Sequence, residues 1–174
     1  ATDSAYPGVT VTLTGDIDGD AIDETFVTTT DVNGNYSFPG LPYADYDVTL
    51  TPPGGTNATF DADGGNDNTS NVTLDALNPS DSNQDFGLTG TGSVGDTVCY
   101  DVDGNGVQDP GENGIPGTTV ELDIDLDGDG TPDHTVSTTT DLSGNYSFPN
   151  VPSGLHTIRV TLPSGTVPTT DLDK

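Results

Sequence analysis

The stretch Asp101–Glu112 reads DVDGNGVQDPGE and matches the calcium-loop pattern D-x-(D/N)-x-(D/N)-G-x5-E at every specified position. In this pattern, short side chains supply oxygens at alternate positions, and a glycine provides the sharp turn between them. The predicted ligands are Asp101, Asp103, Asn105, the carbonyl of Val107, Asp109 and Glu112. The alternative is a solvated acidic turn, because Asp, Asn and Gly also favour turns for their backbone geometry alone.

The chain around this loop contains one module twice. Thr28–Phe38 reads TTTDVNGNYSF, and Thr138–Phe148 reads TTTDLSGNYSF. A repeat of this kind predicts two similar structural units, which we place at residues 1–90 and 91–174. The join at Thr89–Ser93 is short, so we expect a brief linker there.

The two copies of the module cover different parts of it. The first copy has no counterpart of the strand-like Val94–Tyr100 or of the calcium loop after it, so we expect it to lack an N-terminal strand. The second copy ends before counterparts of Val72–Leu88, so we expect it to lack C-terminal strands. Our hypothesis is a segment of a longer tandem array, or a chain that completes its sheets with strands of a neighbouring molecule.

Apolar and polar residues alternate through most of the chain, which is typical of half-buried β-strands. Asp31–Gly34 and Asp141–Gly144 place Asp first and Gly fourth, which favours type I turns that close hairpins. Short strands with turns at this spacing predict an all-β fold of two β-sandwiches. The predicted strands include Val9–Leu13, Tyr36–Phe38, Tyr46–Leu50, Val94–Tyr100, Val120–Leu122 and Ile158–Leu162.

Further acidic loops repeat parts of the calcium pattern. In the second copy, the predicted ligands are Asp125, Asp127, Asp129 and Asp133, with Asp123 and Asp141 as candidates for the missing twelfth-position carboxylate. In the first copy, they are Asp16, Asp18 and Asp20, followed by either Asp23 or Glu24. Asp31 and Asp141 are expected mainly to cap their turns, with a metal contact as a further option. We expect a solvated loop for the last cluster: Asp61, Asp63, Asn66, Asp67, Asp171 and Asp173.

The charge of the chain excludes several partners. Its 29 acidic and 2 basic residues give a formal net charge of −27. Such a charge opposes binding to nucleic acid or to an anionic membrane, and it destabilises a compact metal-free state by self-repulsion. His134 and His156 have no nucleophile at a catalytic spacing, so we predict that the chain is not an enzyme.

The second copy resembles the B-type repeats of serine-aspartate repeat bacterial surface adhesins, which are related to collagen-adhesin B domains. The resemblance is carried by the segments Gly95–Val98, Tyr100–Gly117 and Thr140–Phe148, and it extends to the first copy from Pro7 to about Leu88. It implies immunoglobulin-like β-sandwiches in tandem, loaded with Ca²⁺. By resemblance, the calcium ligands are Asp101, Asp103, Asn105, Asp109 and Glu112. Cys99 departs from the family, which usually has an aromatic residue there.

These observations predict a calcium-stabilised structural repeat of an extracellular fibre or bacterial cell-surface stalk or adhesin. It would act as a rigid spacer and could assemble by strand complementation. Its expected partners are calcium and neighbouring repeats or copies of itself, without nucleic acid and without membrane insertion. The alternatives are a ligand-binding adhesion module and an accessory domain of a large secreted protein.

Overall fold

The computed structural model describes residues 4–169, which form eleven β-strands and no helix. The all-β prediction is therefore confirmed. Because these residues are all strand or loop, they include no helix that is long and apolar enough to cross a membrane. The chain divides into two compact units, Ala1–Thr91 and Gly92–Lys174, here called the first and second units.

The first unit contains two antiparallel sheets. One has the order β2-β1-β3-β5, and in the other β4 pairs with β6. In the register of the larger sheet, Leu13 of β1 lies opposite Phe26 of β2 and Val48 of β3. The strands are β1 (Thr10–Gly15), β2 (Glu24–Thr29), β3 (Asp45–Thr51), β4 (Thr56–Phe60), β5 (Thr69–Thr73) and β6 (Gly87–Gly90).

The core of the first unit follows the predicted alternation. Val11 and Leu13 point inward from β1, and Tyr46, Val48 and Leu50 point inward from β3. Each such side chain contributes about 1.5–3 kcal/mol by leaving water. The hydroxyl of the buried Tyr46 still forms a hydrogen bond, since it donates to the Pro42 carbonyl at 2.9 Å.

The second unit also contains two antiparallel sheets, with orders β11-β8-β9 and β10-β7. Val120 and Leu122 of the central strand β8 are 0% and 1% exposed, and they pack with Phe148 and Val151 of β10. The predicted Val94–Tyr100 strand ends at Thr97, and Cys99 continues it as an isolated bridge to Gly114. The strands are β7 (Gly92–Thr97), β8 (Thr119–Ile124), β9 (His134–Thr139), β10 (Asn145–Val151) and β11 (Thr157–Thr161).

Each unit contains, at an equivalent position, a threonine hydroxyl that bridges two backbone groups, which the sequence pattern did not predict. In the first unit, the Thr30 hydroxyl accepts a hydrogen bond from Val9 N at 2.9 Å and donates to Tyr6 O at 2.7 Å. In the second, the buried Thr140 hydroxyl accepts from Thr118 N at 2.9 Å and donates to a neighbouring carbonyl at 2.6 Å. The last threonine of each TTTD run therefore ties the hairpin to the preceding strand.

The predicted strand at Tyr36–Phe38 is wrong. The equivalent Tyr146 and Phe148 lie in β10, where they pair with Asp96 and Val94 of β7. The described part of the first unit contains no strand equivalent to β7, so residues 35–39 have no ladder to join. Their aromatic rings still meet edge to face, with centroids 6.1 Å apart compared with 6.0 Å in the second unit.

The join predicted at Thr89–Ser93 is short, as expected, but it is shorter than those five residues. Thr89 and Gly90 belong to β6, and Gly92 and Ser93 belong to β7. Thr91 alone lies between the two strands, because β6 pairs with β4 up to Gly90 and β7 pairs with β10 from Gly92.

Candidate metal centres

Carboxylate oxygens converge in three loops: β1–β2 in the first unit, and β7–β8 and β8–β9 in the second. In each loop, three residues each offer one oxygen, and these oxygens all lie within 4.8 Å of one another. The groups are Asp16, Asp18 and Glu24; Asp101, Asp103 and Glu112; and Asp125, Asp127 and Asp133.

The first Asp of each group holds its loop closed. Its Oδ1 accepts a hydrogen bond from the backbone N–H three residues later, at 2.6 Å for Asp16, 2.8 Å for Asp101 and 2.7 Å for Asp125. Its Oδ2 accepts one from the backbone five residues later, at 2.9, 3.1 and 2.9 Å in the same order. Three stretches of different sequence therefore adopt one local geometry.

The last carboxylate of each group closes the loop from the other side. It accepts the N–H of the residue that follows the first Asp: Ile17 N to Glu24 at 3.0 Å, Val102 N to Glu112 at 2.6 Å and Leu126 N to Asp133 at 2.7 Å. This contact brings the last carboxylate beside the first. The arrangement concentrates negative charge at one point, as a cation site requires.

The remaining predicted ligands have other contacts in these loops. Asp20 and Asp129 each accept the backbone N–H two residues later, and they are not in the three-carboxylate groups. Asn105 Oδ1 accepts Val107 N at 2.7 Å, while its Nδ2 donates to Asp109 Oδ2 at 2.8 Å. These side chains shape the turns around the converging carboxylates.

Ala21 occupies the sixth position of its loop, where the other two loops have Gly106 and Gly130. All three residues have positive φ, at 65°, 79° and 85° respectively. Alanine in this left-handed region is strained by its Cβ, at a cost of about 1–2 kcal/mol.

We expect Ala21→Gly to raise the unfolding free energy of the first unit by up to about 1 kcal/mol, because glycine relieves the strain but gains freedom in the unfolded chain. Urea denaturation measures the change. Gly130→Ala in the second unit is the matched reverse substitution and should destabilise. A change of unfolding free energy with the same sign for both substitutions would contradict the strain argument.

Several predicted ligands lie outside the three groups. Glu24, and not Asp23, joins the first loop. Asp123 instead forms an ion pair with Arg159, at 2.7 Å from Oδ2 to Nε, and accepts the Thr135 hydroxyl at 2.6 Å. Asp123 is 7% exposed, so its charge is committed to Arg159 within the sheet.

Asp31 and Asp141 cap the two repeated hairpins. Asp31 Oδ1 accepts Asn33 N and Asn35 N at 2.8 and 2.9 Å, and Asp141 Oδ1 makes the same two bonds at the same distances. The N–H of Asn35, followed by that of Asn33, lowers the pKa of Asp31. The N–H of Asn145 likewise leads the causes that lower the pKa of Asp141.

Hydrogen bonds also keep two of the first-position carboxylates ionised. The pKa of Asp101 is lowered first by the Thr169 hydroxyl and then by the backbone N–H groups of its loop. The pKa of Asp16 is lowered first by Gly19 N–H and then by Ala21 N–H. The sequence did not predict the contact between Thr169 and Asp101, because the two residues lie far apart along the chain.

The donor chemistry of the three groups fits a hard cation. Every converging atom is a carboxylate oxygen, and such oxygens suit calcium or magnesium better than soft transition metals. Calcium accepts irregular coordination by six to eight oxygens, whereas magnesium demands near-ideal octahedral geometry. These acidic groups could therefore hold a metal ion.

The SdrD B-like domain model matches residues 1–88 and again residues 92–173. The chain belongs to the SdrD B-like domain family. The predicted resemblance to serine-aspartate repeat proteins is thus confirmed, together with the immunoglobulin-like β-sandwich class of the fold. Asp171 and Asp173, which we expected in a solvated loop, lie outside the described residues.

Several curated proteins are similar to nearly the whole of this chain. Serine-aspartate repeat-containing protein F of Staphylococcus epidermidis is 37% identical over 168 residues, which cover 93% of this chain and 9% of that protein. Serine-aspartate repeat-containing protein D of Staphylococcus aureus (strain Newman) is 33% identical over 174 residues, covering 97% and 12%. Colossin-A of Dictyostelium discoideum is 36% identical over 162 residues, covering 93% and 1%.

The chain thus spans about a tenth or less of the length of these curated relatives. No solved structure matches it.

Proposed function

We propose that this SdrD B-like chain is a calcium-stabilised structural repeat of an extracellular fibre or bacterial surface stalk, where it serves as a rigid spacer. One observation carries the proposal: three loops adopt the same hydrogen-bonded geometry, and each gathers three carboxylates within 4.8 Å. Membership of the SdrD B-like domain family supports it, because the domain occurs twice in this chain and tandem copies of one module suit a spacer.

Calcium would stabilise the fold through charge. The formal net charge of −27 opposes compaction, and each bound dication offsets two negative charges at the point where they are most concentrated. In the β7–β8 loop, Asp101, Asp103 and Glu112 would supply the converging oxygens. Asn105, Asp109 and the carbonyl of Val107 are its other proposed ligands. An ion that binds the folded chain shifts the folding equilibrium by mass action.

Counting bound calcium by native mass spectrometry tests the metal assignment. We expect Asp16→Asn, Asp101→Asn and Asp125→Asn each to remove one ion, because asparagine still accepts backbone N–H groups but carries no charge. Asp85→Asn, at an exposed aspartate outside the three loops, is the control and should bind as many ions as the parent chain. Unchanged ion counts in all three loop variants would refute the assignment.

The spacer role requires a second measurement. Small-angle X-ray scattering should give a larger radius of gyration in EDTA than in calcium, because repulsion between carboxylates expands the chain when the ions leave. Sodium chloride at matched ionic strength controls for general screening. An identical radius of gyration in EDTA and in calcium would contradict calcium-dependent stiffening.

Strand complementation is a second function that a specific observation favours. Residues 35–39 of the first unit are not in a strand, whereas the equivalent residues of the second unit pair with β7. A cleft of about 530 Å³ lies between Tyr36 and β6 and is lined in part by Val9, Leu50 and Phe86. We propose that a strand equivalent to β7, donated by a second copy of the repeat, occupies this cleft and pairs with residues 35–39.

A synthetic peptide of residues 91–99 tests this assembly. In the second unit, Val94 lies opposite Phe148 and packs against the core, so its counterpart would face Phe38. Fluorescence anisotropy should show saturable binding of the peptide to the chain, and the same peptide with Val94→Asp is the control. Equal binding by both peptides, or none by either, would count against strand donation.

A further inference from the structure

Among residues 4–169, one buried hydroxyl group differs from the others in its partner. The buried polar side chains of this part of the chain are Asp61, Ser70, Thr118, Asp123 and Thr140. Asp61 is 0% exposed, so the expectation of a solvated loop is wrong for that residue. The hydroxyls of Thr118 and Thr140 donate to the backbone carbonyl of Ile115, at 3.4 and 2.6 Å. Ser70 instead contacts a side-chain carboxamide.

The partner of Ser70 is Gln84. Ser70 lies on β5 and is 0% exposed, and its Oγ donates to Gln84 Oε1 at 2.5 Å. Gln84 stands three positions before β6, so the contact joins the larger sheet of the first unit to the segment that leads into the smaller sheet. Because Ser70 is fully buried, water does not compete with its hydroxyl for the carboxamide.

The carboxamide of Gln84 is held in one orientation. Its Nε2 donates to Asp81 Oδ2 at 3.2 Å, and an ionised carboxylate can only accept, so the amide oxygen is directed to Ser70. Asp81 Oδ1 in turn accepts Asn83 N at 2.7 Å. The Tyr36 hydroxyl donates to the backbone carbonyl of Gln84 at 2.5 Å, and burial raises the pKa of Tyr36 to about 12, which keeps it a donor at neutral pH. Backbone and side chain of Gln84 are therefore both positioned.

We propose that Ser70 and Gln84 form an intramolecular ester cross-link, with release of ammonia. Ser70 Oγ bonds to Gln84 Cδ while the Oγ–H proton passes to Oε1, the atom to which it is already hydrogen-bonded. The proton moves on to Nε2 as the carbonyl reforms and the Cδ–Nε2 bond breaks. One alcohol and one amide thus give one ester and one ammonia, so the step needs neither an oxidant nor a reductant.

Asp81 assists the departure of the nitrogen. Its carboxylate stabilises the positive charge that develops on Nε2 as the nitrogen takes up the proton. Asp81 is exposed, so the ammonia is released beside solvent, where it becomes ammonium and is diluted. Attack by Thr118 or Thr140 on the Ile115 carbonyl would break the main chain, whereas Gln84 loses a side-chain nitrogen.

The ester would close a ring through residues 70–84. Such a ring restricts the unfolded chain as a disulfide does, so it stabilises the first unit. This stabilisation is independent of the calcium proposed above, because a covalent bond persists in EDTA. Failure of either proposal therefore leaves the other intact.

Mass spectrometry of the full chain under denaturing conditions tests the cross-link. We expect a mass lower than that of the sequence by one ammonia molecule. A peptidase that cleaves before aspartate separates residues 67–74 from residues 81–84, and in the cross-linked chain these two peptides should remain joined. Mild alkali should release them, because it hydrolyses esters much faster than amides.

Variants distinguish the ester from other losses of ammonia, such as a succinimide at an Asn–Gly step. Ser70→Ala and Gln84→Glu should each have the full mass of their sequence and a lower melting temperature than the parent chain. Ser82→Ala, at an exposed serine of the same segment, is the control and should remain cross-linked. Two separate peptides and a full sequence mass in the parent chain would overturn the proposal. The same loss of mass in folded Ser70→Ala or Gln84→Glu would also overturn it.

Discussion

Addition of EDTA to the calcium-loaded chain should lower the melting temperatures of both units. A site with a Kd of about 10⁻⁴ M adds about 2.7 kcal/mol of stability when free calcium exceeds the Kd by about 100-fold. The second unit contains two of the three loops and the first contains one. From these loops alone, the second unit should lose about twice as much unfolding free energy, as measured by calorimetry.

Two controls make the EDTA result specific. Sodium chloride at matched ionic strength accounts for the screening of a chain with a net charge of −27. The double variant Asp101→Asn, Glu112→Gln should lose part of the calcium response in the second unit only. Identical melting with and without calcium would contradict calcium stabilisation altogether.

Gly114→Ala should destabilise the second unit by about 3 kcal/mol, the upper part of the range for overpacking. A Cβ at Gly114 would lie 1.8 Å from the Ser143 carbonyl oxygen and 2.7 Å from Gly144 N. Both atoms are backbone, so no side-chain rotation can relieve the clash. The hairpin that carries Asp141 would have to move away from the Cys99–Gly114 bridge. Urea denaturation followed by tyrosine fluorescence measures the loss.

The repeat supplies a natural control for this substitution. Ala5 is the counterpart of Gly114 in the first unit, and there its Cβ is 3.3 Å from the position that a Cβ on Gly34 would occupy. Ala5→Gly should therefore cost less than about 1 kcal/mol, because only one methyl group and some chain entropy change. Gly114→Ala with an equally small effect would show that the contact between the loop and the hairpin is loose.

The sequence predicted best what depends on short spacing. The Asp101–Glu112 pattern predicted a loop that brings Asp101, Asp103 and Glu112 together, because a twelve-residue loop of this kind must reverse direction around one point. The first copy was less certain because its loop is one residue shorter. Both Asp23 and Glu24 were then possible closing residues, and the structure brings Glu24 to the group.

Features that depend on distant parts of the chain were not predictable. Tyr36–Phe38 has the alternation of a strand, but a strand also needs a partner, and β10 obtains its own from β7. Asp123 has the charge of a metal ligand, yet Arg159 meets it from a strand 36 positions away. Asp61 reads as a loop residue because burial depends on how β4 and β5 are placed, which no local pattern encodes.

Arg159 also determines how the chain meets peptidases that cleave after basic residues. The sequence has two such residues, Arg159 and Lys174, and of these Arg159 lies within the described residues 4–169. It lies within β11, and its guanidinium is engaged by Asp123. Cleavage needs a stretch of accessible extended backbone, so β11 must first detach from β8. The rate of tryptic cleavage after Arg159, followed by gel electrophoresis, therefore reports how often the edge strand β11 opens.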